Sequence, residues 1–474
     1  MSIAFSEAEP TLPYPPRYWW LKRIGIGTTA LLILLLLIRF VWGWDANRRL
    51  ETELAAMRAR GEPTRGEDLE SPSVPDSSNY VYYLRQAITA INPNADPPAA
   101  TNMSYVNVLP LPKEWDPIAA KAVIGNQTPL QFLRKARQSP QINWGLKFNS
   151  ASLYANSIPS LSSERHLANL LGDTALFEHL HENDSEAIES LQDLLALSNA
   201  VTKQQYLISY LVSVGIDALT FERICLIAPG LRLEGTPKSA TPQQVRDLIS
   251  VLLRDVDGPR FHAALASEKV FNLEMTASSY ENSLILRPVY VLDLVRFLKI
   301  HDRFAAATQP LNRDSNPRST SRKRISIDDI THLMSGDTSD TYDRMLQLRF
   351  KMEADRQMAA VSLAARLYQI DHAGQWPKNL KALVPAYLPA VPIDPLSPTA
   401  APLKYILANG GLRPVVYSVG VEGKDDTPNE SVLPPGPIYG SYLNQKDYWR
   451  DLSRIEGPPQ ILPSTQPDGT TQPE

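Results

Sequence analysis

A single cysteine, Cys225, among 474 residues leaves no partner for an internal disulfide and excludes a zinc site built on paired thiolates. Glycine is scarce too, at 22 residues, so glycine-rich phosphate loops and glycine-punctuated β repeats have little to be built from. Neither sign of charge prevails: 47 basic residues against 51 acidic ones leave a net charge of −4, which argues against a nucleic-acid partner. No nucleophile signature of the Gly-x-Ser-x-Gly kind occurs. His166, His262, His301, His332 and His372 are scattered and read as satisfied surface or core side chains. His179 and His181 crowd one helix end with Glu178 and Glu182, but two positions on a helix are about 200° apart, so the imidazoles face opposite sides and do not share a metal.

What the chain has in quantity is apolar residues, 43% of the total, and proline, 40 residues. The first suffices for a real core, and the second favours helices punctuated by stiff breaks. At roughly 150 residues per domain the length has room for about three compact units.

Ile24 to Trp44 is an apolar run centred on Leu31 to Ile38. At 1.5 Å per residue it reaches about 31 Å as a helix, the thickness of a hydrocarbon core. Trp19 and Trp20 precede it, and Trp42 and Trp44 close it, placing amphipathic rings at both headgroup levels. Arg39, near the end, can snorkel outward. A cleaved signal peptide is the competing reading, but the run is long for one and ends in bulky Phe40, Trp42 and Trp44 instead of a small-x-small site. Membrane lipid is therefore the expected partner of residues 24–44. Arg17, Lys22 and Arg23 lie before the span, whereas Arg39, Arg48, Arg49, Arg58 and Arg60 lie in or after it, so charge counting mildly favours a cytoplasmic body. Large C-terminal domains often translocate regardless of flanking charge.

Beyond the span, Asn47 to Arg60 reads as a charged helix and the proline-containing stretch to Asp76 as a linker. Helices are predicted around Val81 to Ile91 and Pro129 to Gln138, with a proline-broken stretch from Pro93 to Pro117 between them. From Ser162 onward the 3.6-residue period is plain: Leu167, Leu170, Leu171, Phe177 and Leu180 on one helix, Ile188, Leu191, Leu194 and Leu195 on the next, then Leu207 to Cys225, stopping at Pro229-Gly230. Asn183 and Glu186 have capping-box spacing, and Thr241, Pro242 and Gln244 supply an N-cap, a first-turn proline and its N3 partner. Two further helices, about Pro259 to Met275 and Pro288 to Ala307, complete a body of antiparallel pairs joined by short connections. The polar run Asn312 to Arg324 lacks interleaved aromatics and reads as exposed loop.

A long helix from about Tyr342 to His372, with Leu348, Met352, Ala359, Leu363, Leu367 and Ile370 on one face, gives way to two β-rich runs separated by Asn409-Gly410-Gly411. Trp376-Pro377 is expected to end that helix and anchor a turn. Tyr368, Asp371, Gly374, Trp376-Pro377, Asp394-Pro395, Tyr405 and Tyr417-Ser418-Val419-Gly420 together resemble the soluble half of the major pseudopilin of type II secretion systems, over roughly Met358 to Asp426. The pseudopilin's peptidase site is absent, since Gly25 and Gly27 lead into Ile26 and Thr28-Thr29-Ala30 with no glutamate in the span. About 300 residues also separate the membrane run from this module, where pseudopilins have one continuous helix. The resemblance implies calcium as a possible cofactor, with Glu422, Asp425 and Asp426 as ligands. A solvated acidic turn beside Gly423 is the alternative for the same residues, because the second glycine-rich half of the pseudopilin loop is absent. The whole-chain layout, with Leu54 to Pro63 and Val74-Pro75-Asp76, is similar to a group of single-pass membrane proteins of planctomycete-type bacteria.

The expected fold class is mostly α: an N-terminal transmembrane helix, an irregular helical body of antiparallel pairs, and a small C-terminal α+β module of helix plus hairpin sheet. The expected divisions are a cytoplasmic tail over 1–23, the span over 24–44, a juxtamembrane helix and linker over 45–78, a helical domain over 79–311, a polar linker over 312–341, the pseudopilin-like module over 342–430 and a proline-rich tail over 431–474. The resemblances imply a body outside the cytoplasmic (inner) membrane. The expected function is a non-enzymatic envelope interaction or structural protein, with other envelope proteins as partners. The alternatives are a component of a type II secretion or pilus-like assembly and an extracytoplasmic hydrolase without a recognisable motif.

Overall fold

The computed structural model describes residues 18–95, 111–147, 158–306, 339–433 and 448–453, apart from isolated positions at 112, 114, 255, 281–284, 428, 430 and 432. The expected polar linker up to residue 338, the proline-broken stretch over 96–110, His332 and most of the proline-rich tail lie outside the described residues.

Eleven helices and one small sheet account for the described fold. Helix α1 spans Trp19–Ala59, and its apolar stretch is long enough to cross a membrane with none of it covered by the rest of the chain. The expected membrane run and the expected charged helix after it are thus one uninterrupted rod, because Trp44 to Ala59 contains neither proline nor glycine to break it.

Helices α2 (Tyr80–Thr89), α3 (Trp115–Gly125) and α4 (Gln127–Gln138) form a layer against the hairpin of α5 (Ile158–Leu180) and α6 (Asp184–Thr202). The Asn79 carboxamide starts α2 by accepting from Val81 N (3.2 Å), and it also accepts from Asn143 N and donates to Asn143 O, holding the strand-like return 141–144 alongside. Trp144 Nε1 then donates to Ala200 O at 2.8 Å, tying that return to α6. Helix α7 (Leu207–Ile227) packs on α6, and α8 (Pro242–Leu252) opens with the expected box, in which Gln244 N donates to Thr241 Oγ1 and Thr241 N to Gln244 Oε1. The box expected at Asn183 does not form. Asn183 Nδ2 donates to Glu178, while Glu186 turns away to Arg134 of α4 at 2.6 Å, a charged partner stronger than a backbone amide.

Helices α9 (Asp257–Tyr280) and α10 (Arg287–Ala305) pair with each other, and α10 also lies along α1. Helix α11 (Ser339–Asp371) is the spine. Ala359, Ala360, Val361, Leu363, Ala364 and Ala365 are all fully buried, so this stretch is covered all round and not along the single face that periodicity predicts. The reason is its position between α7 and α8 on one side and the sheet on the other. Ile370, expected in the stripe, is exposed at the end of the helix. The helix stops at Ala373 and Gly374, both at positive φ, with Gly374 N donating to Gln369 O, so a left-handed cap ends it before Trp376-Pro377 is reached.

Strands β1 (Lys404–Ala408) and β2 (Arg413–Ser418) pair antiparallel with Lys404 opposite Tyr417, across a turn in which Asn409, Gly410 and Gly411 all have positive φ. Strand β3 (Tyr448–Asp451) pairs with β2, with Val416 opposite Arg450. These residues fall within the expected proline-rich tail, but Arg413 Nε donating to Asp451 (2.7 Å) and Arg450 reaching Asp355 of α11 (3.2 Å) hold them in the fold.

Candidate functional site

Three arrangements of polar side chains invite a functional reading: the C-terminal module, the buried ion pairs of the helical body, and the collar where α1 meets the body.

In the module, Asp394 is buried and accepts from the Ser418 hydroxyl (2.7 Å), Val419 N (2.8 Å) and Leu396 N (3.0 Å). Burial pushes its carboxyl up, while those donors pull it the other way. Tyr405 donates its hydroxyl to Pro377 O at 2.8 Å, and Tyr387 donates to Asp371 at 2.7 Å beside the stacked rings of Tyr368 and His372. The residues singled out in the sequence therefore lace the turn, the Asp-Pro loop and the hairpin to one another. Asp425 accepts from the Tyr417 hydroxyl (3.1 Å) and Thr427 N (3.2 Å) and lies 3.4 Å from Lys404 Nζ, while Glu422 and Asp426 are exposed. Among the described residues no three His, Cys, Asp or Glu side chains converge as a metal site, these three included.

His179 and His181 do diverge. His179 is buried with Nδ1 at 2.5 Å from Asp184, whose other oxygen accepts from Arg232 Nε; His181 is exposed with Nδ1 against Phe177 O. Burial alone would raise the Asp184 carboxyl, but His179 and Arg232 hold it below the ordinary range.

The body's ion pairs join helices distant in sequence. Arg134 of α4 reaches Glu186 and Asp193 of α6, both at 2.6 Å, and Arg137 pairs with Glu189. Arg260 of α9 meets Asp217 of α7 at 2.9 Å. Arg356 of α11 grips Asp257 with Nε (2.9 Å) and Nη2 (2.8 Å), and donates from Nη1 to Leu252 O and Arg254 O, the open carbonyls at the end of α8. A small crevice bounded by Leu69, Tyr206, Val270 and Phe271 has about 10 Å³, room for about one water molecule.

At the collar, Leu50, Leu54 and Met57 of α1 pack on Leu294, Phe297 and Leu298 of α10. Beyond them Arg60 reaches Asp302 (2.9 Å) and Glu62 (2.5 Å), and Lys269 of α9, only 2% exposed, donates to Glu62 (2.8 Å) and to Asp302. Burial would raise the Glu62 carboxyl, but Arg60 and Lys269 together hold it below its ordinary value. Sequence reading missed this cluster because its members are some 200 residues apart and each looks like an ordinary surface charge.

Comparison with protein-family models, curated protein sequences and solved structures found no match to this chain. The described residues define a mostly helical chain with one apolar N-terminal helix long enough to cross a membrane and a small antiparallel three-stranded sheet.

Proposed function

We propose that the chain is a membrane-anchored extracytoplasmic protein without catalytic activity, whose helical body and C-terminal module present interaction surfaces to other envelope proteins at the outer face of the cytoplasmic membrane. One observation carries this reading. Helix α1 continues unbroken from its uncovered apolar stretch into the collar, where Leu54, Met57 and Arg60 are bound to α10. An anchor held so firmly to the body sets the body's stance on the bilayer, a geometry suited to presenting a surface. When the full chain is expressed in cells, it is expected to sediment with membranes, to resist alkaline carbonate, and to be digested by protease added outside intact spheroplasts. Recovery of an N-terminally shortened chain in the detergent-free supernatant would identify the apolar run as a cleaved signal and end the proposal. A body protected inside intact spheroplasts would reverse the orientation.

A second reading, a component of a type II secretion or pilus-like assembly, draws on the lacing of Asp394, Ser418, Val419, Tyr405 and Pro377, since these residues carry the pseudopilin resemblance. Calcium binding by Glu422, Asp425 and Asp426 belongs to that reading alone. Stable co-purification with secretion pilins distinguishes it from the first.

A further inference from the structure

Helix α10 runs parallel to the last part of α1. A side-chain carbon placed on Gly43 would lie 3.9 Å from Pro288 Cγ; further along, Glu53 meets Lys299 and Arg60 meets Asp302. Both helices therefore climb away from the apolar run together, and the residues just before Pro288 lie on its bilayer side. Two of these are Ile285 and Leu286, 77% and 49% exposed. Ile285 is as uncovered as Phe40 within the apolar run, at 71%. Body contact with α1 begins at Gly43 and Ala46, level with Trp42 and Trp44, where the aromatic belt marks the headgroups. Charge fits the same place, since exposed Arg287 adjoins the two apolar residues.

We propose that Ile285 and Leu286, in the turn that opens α10, insert into the interfacial layer of the bilayer that α1 crosses, with Arg287 on anionic headgroups. This second point of lipid contact rests on the reading of α1 as a span. A second attachment beside the span limits how far the body can tilt away from the bilayer on that side. Buried apolar area and a neighbouring basic residue both strengthen contact with an anionic interface.

The test uses the full chain in vesicles of equal parts phosphatidylcholine and phosphatidylglycerol, some carrying a nitroxide near the top of the acyl chain. Ile285→Cys, Phe40→Cys, Leu35→Cys and Leu412→Cys, each combined with Cys225→Ala, are labelled with an environment-sensitive fluorophore. The parent chain with Cys225 alone gives the labelling background. Leu412 is as exposed as Ile285 but sits on the β1–β2 turn. The expected result is a blue shift and a loss of fluorescence at position 285 comparable to that at position 40, with position 412 unchanged. Quenching at 35 and 40 with a water-like signal at 285 overturns the second contact and leaves the span standing. A water-like signal at 35 and 40 overturns the span, and this proposal with it. Should Cys225→Ala unfold the chain, Ile285→Asp with Leu286→Asp in the parent replaces it. Retention on vesicles with chymotryptic cleavage after Tyr280 increased several-fold supports the contact, and an unchanged cleavage rate overturns it.

Discussion

His301 is fully buried between Phe297 and Tyr342, with ring centroids 3.9 and 4.5 Å away, and its Nδ1 lies against Phe297 O. Burial pushes its pKa down from 6.5 to about 4, so the folded chain keeps it neutral where the unfolded chain takes up a proton. The stabilisation is complete above the unfolded value of 6.5 and is lost as pH falls from there toward 4, by up to roughly 3 kcal/mol. Chemical denaturation near neutrality and at about pH 5 is expected to show a drop that His301→Phe reduces. A drop of equal size in the variant would assign it to other groups. Gly230 shows how residue-scale causes hide. Read from the sequence as a helix stop, it has ordinary φ; a Cβ there would meet His179 Nε2 at 3.0 Å, so its smallness makes room for the imidazole that Asp184 holds. No local pattern reports a clearance between residues fifty positions apart.

At the scale of elements, local signals were read well where the chain answers to itself. Thr241-Pro242-x-Gln244 formed its capping box, and Asn409-Gly410-Gly411 turned the hairpin. They were read poorly where a distant partner competed, as when Arg134 drew Glu186 from the start of α6. Arg356 is another long-range partner. It joins α11 to the end of α8 and the beginning of α9, meeting two carbonyls and one carboxylate at once. Arg356→Met is expected to leave Asp257 buried without its cation and to cost about 3–5 kcal/mol, measured as a lowered urea midpoint with unchanged helix content before the transition. An effect below about 1 kcal/mol would show that water takes over the arginine's role.

For the whole molecule, the junction between anchor and body depends on Lys269, a buried ammonium between Glu62 and Asp302. Lys269→Met is expected to leave two carboxylates sharing Arg60 alone and to loosen the collar by about 3 kcal/mol. Trypsin should then cut faster at Arg60 and Arg65 while the chain stays with membranes; unchanged cleavage would place the junction's strength in the Leu50, Leu54 and Met57 seam instead. Hydrophobic length and period, which depend only on neighbours along the chain, were enough to establish the apolar rod, the helical body, the helix-then-hairpin ending and the divergence of His179 from His181. The packing of α1 on α10, the burial of α11 on every side, β3 and the collar's ion pairs arise from contacts between residues far apart in sequence. Each such contact is set by how several helices pack at once, and packing leaves no periodic trace in any one of them.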